Sequence, residues 1–101
     1  YQVAAVAVEM GARARPGDAV RMGVEVKTES APPQYHVVHV DVFAPGCDIP
    51  HRQYSVNIDC PGGRGNAAIP FALNDPAGTW RLVFTDVATG TRAERTIELA
   101  P

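Results

Sequence analysis

Apolar and polar residues alternate along most of the chain with a period of two. In YHVVHVDVF, Val38, Val40 and Val42 share one side, while Tyr35, Val37, His39, Asp41 and Phe43 share the other. That is the pattern of a strand with one face in a core. AVRMGVEVK repeats it with Val20, Met22, Val24 and Val26. RQYSVNI sets Tyr54, Val56 and Ile58 together, and NAAIPFAL does so with Ala67, Ile69, Phe71 and Leu73. TWRLVF places Trp80, Leu82 and Phe84 opposite Arg81 and Val83. TRAERTIEL turns Ala93, Ile97 and Leu99 inward and Arg92, Glu94, Thr96 and Glu98 outward. With the small apolar segment QVAAVAVEM at the start, seven short strands are predicted, and no segment carries a stripe of period 3.6.

The segments are separated by GARARPGD, TESAPPQ, APGCDIPH, DCPGGRG, NDPAG and DVATG. These breaks are rich in the residues that turns require, and the two prolines of TESAPPQ cannot sit in a central strand. Seven strands punctuated in this way predict an all-β, antiparallel immunoglobulin-like β-sandwich. NDPAG reads as a turn, with Pro76 fixing φ and Gly78 free to take a positive one. Trp80, in register with Leu82 and Phe84, reads as the core anchor.

A chain of 101 residues with 46% hydrophobic residues can enclose one core, so residues 1–101 are read as a single domain. The net charge of −2, with both signs interspersed, gives no electrostatic case for nucleic acid or an anionic membrane. No apolar run is long enough for a transmembrane helix. Tyr1 opens directly into patterned sequence with no signal peptide, as expected of a domain cut from a longer protein or of a mature product.

Three stretches carry a resemblance to a known family: RPGD (Arg15–Asp18), VVHVDVFAPG (Val37–Gly46) and IPFALNDPAGTWRLVFTDVATGTRA (Ile69–Ala93). Their strongest element is the string from Gly78 to Gly90. Together they resemble the macroglobulin-type immunoglobulin-like domains of α2-macroglobulin-like proteins. They are also similar to the C-terminal accessory domains of large bacterial secreted proteins related to glycoside hydrolases. The resemblance implies a non-catalytic module of an extracytoplasmic protein, acting as spacer, stabiliser or docking domain, with the neighbouring domains of its parent chain as partners. The thioester cysteine motif of the macroglobulins is missing. A carbohydrate-binding module attached to a hydrolase is the alternative.

Candidate chemistry is sparse. Cys47 and Cys60 are the only cysteines and could form a disulfide if their strands cross at the sandwich edge; in a simple hairpin they would sit at opposite ends. Cys47, His51 and Cys60 could contribute to a zinc site, but no fourth ligand stands at the usual spacing. His39 and Asp41 share a strand face, where a His–Asp pair could orient a nucleophile or bind a metal; His36 points the other way. Neither Ser30 nor Ser55 sits in a nucleophile elbow. PGGRG lacks the lysine and the following helix of a phosphate loop. The expectation is therefore no enzyme, no cofactor and no resident metal. The face of Tyr35, Val37, His39 and Phe43 remains as an interaction surface for another protein or a glycan.

Overall fold

A computed structural model describes residues 3–28 and 35–101 of the chain. Eight strands follow in order: β1 (Val3–Met10), β2 (Arg13–Ala14), β3 (Ala19–Thr28), β4 (His36–Phe43), β5 (Val56–Cys60), β6 (Arg64–Pro70), β7 (Gly78–Asp86) and β8 (Arg92–Leu99). They form two sheets, ordered β1-β3-β6 and β2-β8-β7-β4-β5. All pairings are antiparallel except that of β2 with β8, which is parallel. Among the described residues no helix is long and apolar enough to cross a membrane.

The inward positions of the alternating pattern make the core. Val38, Val40 and Val42 of β4 are fully buried, as are Trp80, Leu82 and Phe84 of β7 beside them. From the opposite sheet β3 contributes Val20, Met22, Val24 and Val26. Each such side chain contributes roughly 1.5–3 kcal/mol by leaving water. Trp80 packs edge-to-face on Phe71 at 5.1 Å, and its indole N–H donates to the Pro76 carbonyl at 3.0 Å. Its large ring is therefore buried without an unsatisfied donor.

Four sequence expectations are corrected by the fold. An eighth strand, β2, lies in GARARPGD, which reads as a connection because two residues are too few for alternation to register. The segment RQYSVNI is only partly a strand: the His51 carbonyl accepts from the N–H groups of Tyr54 and Ser55, making a turn before β5 begins at Val56. Leu73 is 82% exposed, because β6 ends at Pro70 and the chain turns at Ala72–Asp75. The fourth correction concerns the disulfide. Cys60 pairs with His36 at the start of β4, whereas Cys47 follows its far end, and both thiols are free. At about 3.3 Å per residue the eight residues of β4 keep them on the order of 20 Å apart, far beyond disulfide reach. Most of the break TESAPPQ, from 29 to 34, lies outside the described residues.

The chain passes from one sheet to the other through a 3-10 turn at Pro61–Gly63. Just beyond it, Gly65 lies against β5 so closely that a Cβ would stand 2.4 Å from the Asp59 carbonyl and 2.9 Å from the Cys60 sulfur. Only glycine permits that approach.

Candidate functional site

The outer face of β4 carries the polar residues of the alternation, and its neighbours in the sheet decide what they meet. His39 stands opposite Asn57 on β5 and Thr85 on β7. One ring nitrogen, Nδ1, lies 2.6 Å from Asn57 Oδ1, and the other, Nε2, lies 2.9 Å from Asp41 Oδ1. Two oxygen acceptors suit a ring that carries both protons. Accordingly the His39 pKa is raised above its ordinary 6.5, chiefly by the bond to Asn57; partial burial opposes this, and the bond to and charge of Asp41 add to it. Side-chain exposure is 42% for His39 and 31% for Asp41, so the pair sits at the surface.

The rest of this face is equally tied together. Tyr35 donates its hydroxyl to Asp59 at 2.8 Å, which raises the phenol's pKa through that bond first. The Arg81 guanidinium stands over the Phe43 ring at 4.2 Å and lies 3.9 Å from Glu94. Val37, Phe43 and Val83 on the same face are half-buried. The residues singled out from the sequence, Tyr35, Val37, His39 and Phe43, therefore share one face, and Asp41, Asn57, Asp59 and Arg81 join them there.

His36 points into the core, where its Nδ1 bonds Asp86 at 2.9 Å. The second carboxylate oxygen of Asp86 accepts from the N–H and the hydroxyl of Thr89 in the β7–β8 turn. Gly90 closes that turn with a φ of 77°, and its N–H donates to the Asp86 carbonyl. Sequence reasoning assigned Asp86 to the turn alone, since its partner lies 50 residues away. Tyr54 was likewise missed as a polar link: its hydroxyl bonds the Asp75 carboxylate, which also accepts from the Ala72 N–H.

The remaining candidates come apart. His51 stacks on Tyr54 at 4.3 Å, and Cys60 is buried behind Gly65, at the end of β4 away from Cys47. Cys47, His51 and Cys60, already short of a fourth ligand by their spacing, form no group able to hold a metal among the described residues. PGGRG is the corner between the sheets. Burial pushes the Cys60 thiol pKa up, assisted by the charges of Asp59 and Asp86, which makes it a poor nucleophile.

No protein-family model matches the chain, and no curated protein sequence matches it. Among solved structures, the superoxide reductase (neelaredoxin) from Ignicoccus hospitalis aligns with 97% of this chain and 82% of its own, with a TM-score of 0.61 and 9% identity. This is a likeness of fold, and it overturns the macroglobulin-type resemblance. The string from Gly78 to Gly90 encodes a hairpin with a buried tryptophan, a device that marks a kind of strand pair and not a family. The reading as a non-catalytic accessory module of a bacterial secreted protein falls with that resemblance, as does its carbohydrate-binding alternative. The expectation of no enzyme falls too, because the matching fold houses one.

Among the described residues, the histidines do not converge as the ligands of a redox group would. Here His36 is held by Asp86, His39 lies between Asn57 and Asp41, and His51 lies against Tyr54. Among the described residues no three His, Cys, Asp or Glu side chains are placed to hold a metal.

Proposed function

We propose that this domain recognises another polypeptide with the outer face of its five-stranded sheet, through Tyr35, Val37, His39 and Phe43. The observation that carries the reading is that the polar groups of this face are already bonded to one another. Asp59 holds Tyr35, Asn57 and Asp41 hold His39, and Arg81 covers Phe43. A partner meets ordered side chains whose polar atoms need few new bonds, with Val37 and Val83 as apolar ground between them. Preorganisation of that kind lowers the ordering cost of association. The face is a broad sheet surface, which suits a polypeptide better than a small molecule seeking a concave pocket. Asp59 opposite Val37 and Asp41 opposite Val83 favour a segment that sets a lysine or arginine next to an apolar residue.

We also infer an immunoglobulin-like topology for the framework. It is supported by the two sheet orders and by the initial segment, which gives β1 to one sheet and then β2 to the other, alongside the last strand.

The test is selection from a random peptide library, followed by mapping of the selected peptides on the domain by NMR. Enrichment of basic–apolar peptides whose shift changes fall on β4, β5 and β7 is expected, with Val37→Glu weakening them at least about tenfold, a loss of about 1.4 kcal/mol. Shift changes on the outer face of the three-stranded sheet, or an unaltered affinity for Val37→Glu, would sink the proposal.

A further inference from the structure

His39 holds two acceptors at once, and a neutral imidazole has only one N–H to give. While both nitrogens are protonated, Nδ1–H donates to Asn57 Oδ1 and Nε2–H to Asp41 Oδ1, so the ring ties edge strand β5 to β4. In that state the Asn57 NH2 group is not needed by the ring and remains a donor for the surroundings. Losing one proton breaks this arrangement. The carboxylate is the stronger acceptor and keeps Nε2–H. Nδ1 then turns a lone pair toward Asn57 Oδ1 at a separation of only 2.6 Å. Rotation of the amide relieves that repulsion, since its NH2 can donate to the bare nitrogen.

We propose that His39 is a proton-operated switch in the outer face, one that reverses the hydrogen-bonding character of Asn57 without moving the strands. In the charged state the face offers an amide donor at Asn57, and the trio His39, Asp41 and Asp59 carries a net charge of about −1. In the neutral state it offers the amide carbonyl, and the same trio carries about −2.

The charged groups around His39 come from the strands on either side of β4. On β5 the charged group is Asp59, engaged by Tyr35. On β7 the residue opposite His39 is Thr85, with Arg81 farther along the strand. Beyond them β8 brings Arg92 opposite Thr85 and Glu94 opposite Val83. The raised pKa places the change above 6.5. The consequence for partner choice rests on the recognition role proposed above, but the switch itself belongs to the isolated domain.

Nitrogen-15 spectra of the His39 ring and of the Asn57 side chain, recorded between about pH 5 and 9, test it. The expected result is a midpoint above 6.5, with Nδ1 the nitrogen that loses its proton and the Asn57 NH2 signals moving in step. Asn57→Ala should lower the midpoint. A wild-type midpoint at or below 6.5, deprotonation at Nε2, Asn57 signals that do not follow the ring, or an Asn57→Ala midpoint equal to wild type would each overturn the switch. A domain that switches and yet selects no peptides would leave this inference standing while sinking the recognition role.

Discussion

Two histidines three residues apart on β4 each bond an aspartate at 2.9 Å, and the two pairs do opposite work. The His36–Asp86 pair is buried almost completely, joins two strands far apart in sequence, and is braced by the Thr89 hydroxyl and N–H. The His39–Asp41 pair lies along one strand with both members partly in water. The difference follows from strand geometry: an odd number of steps along β4 carries one histidine into the core and the other to the outer face. In the core a polar group must be bonded at every turn, because an unpaired one is expensive. At the surface water can replace any lost partner, so the same pair contributes little stability and is free to change state.

Breaking the buried pair should have the largest effect. Asp86→Ala removes the acceptor of both His36 and Thr89 and is expected to cost about 3–5 kcal/mol, measured by urea or thermal unfolding. A loss below about 1 kcal/mol would mean that water reaches His36. Trp80→Ala provides the apolar reference on the adjoining strand, with an expected loss also of about 3–5 kcal/mol. Thr89→Ala leaves the carboxylate one donor short, and about 1 kcal/mol should disappear.

On the exposed side, Asp41→Asn should change stability by no more than about 0.5–1 kcal/mol while lowering the His39 midpoint seen by NMR. A midpoint that rises or stays fixed would contradict the bond drawn here between the two. The smallest effect is the pH dependence of unfolding due to His39. Its folded pKa lies above the unfolded value of 6.5, so its stabilising contribution is fully present below 6.5 and is lost as the pH climbs through the folded value. Comparing His39→Gln with wild type across that window isolates it, and a contribution that grows with pH would have the wrong sign.

What could be read from the chain divides along the same line. Strand β4 was legible because Val38, Val40 and Val42 alternate with polar residues without a break, and β7 because Trp80, Leu82 and Phe84 do so. His39 and Asp41 were legible as neighbours because two steps on a strand always return to the same face. Asn57 was not, since its place opposite His39 depends on the register of β5, set only once Arg52–Ser55 had turned. Neither was the partnership of His36 with Asp86, made across 50 residues. Leu73 was misplaced because alternation in NAAIPFAL runs on past the residue where β6 stops pairing. The family resemblance misled because a string of turn and core residues is shared by unrelated sandwiches.

The parallel union of β2 and β8 has a mechanical consequence. The Glu98 N–H donates to the Ala12 carbonyl at 2.8 Å, and the Ala100 N–H to the Ala14 carbonyl at 2.9 Å. Tension entering ahead of β2 and leaving behind β8 would draw two strands that run the same way past each other, so both bonds would be loaded in shear and would have to rupture together. The β7–β8 hairpin pulled at its open end would instead unzip one bond at a time. A stretch as short as Arg13–Ala14 thereby acts as a rivet along the line of pull, and Glu98→Pro or Ala100→Pro, each of which removes one of these two N–H donors, would tell whether the bonds carry the load.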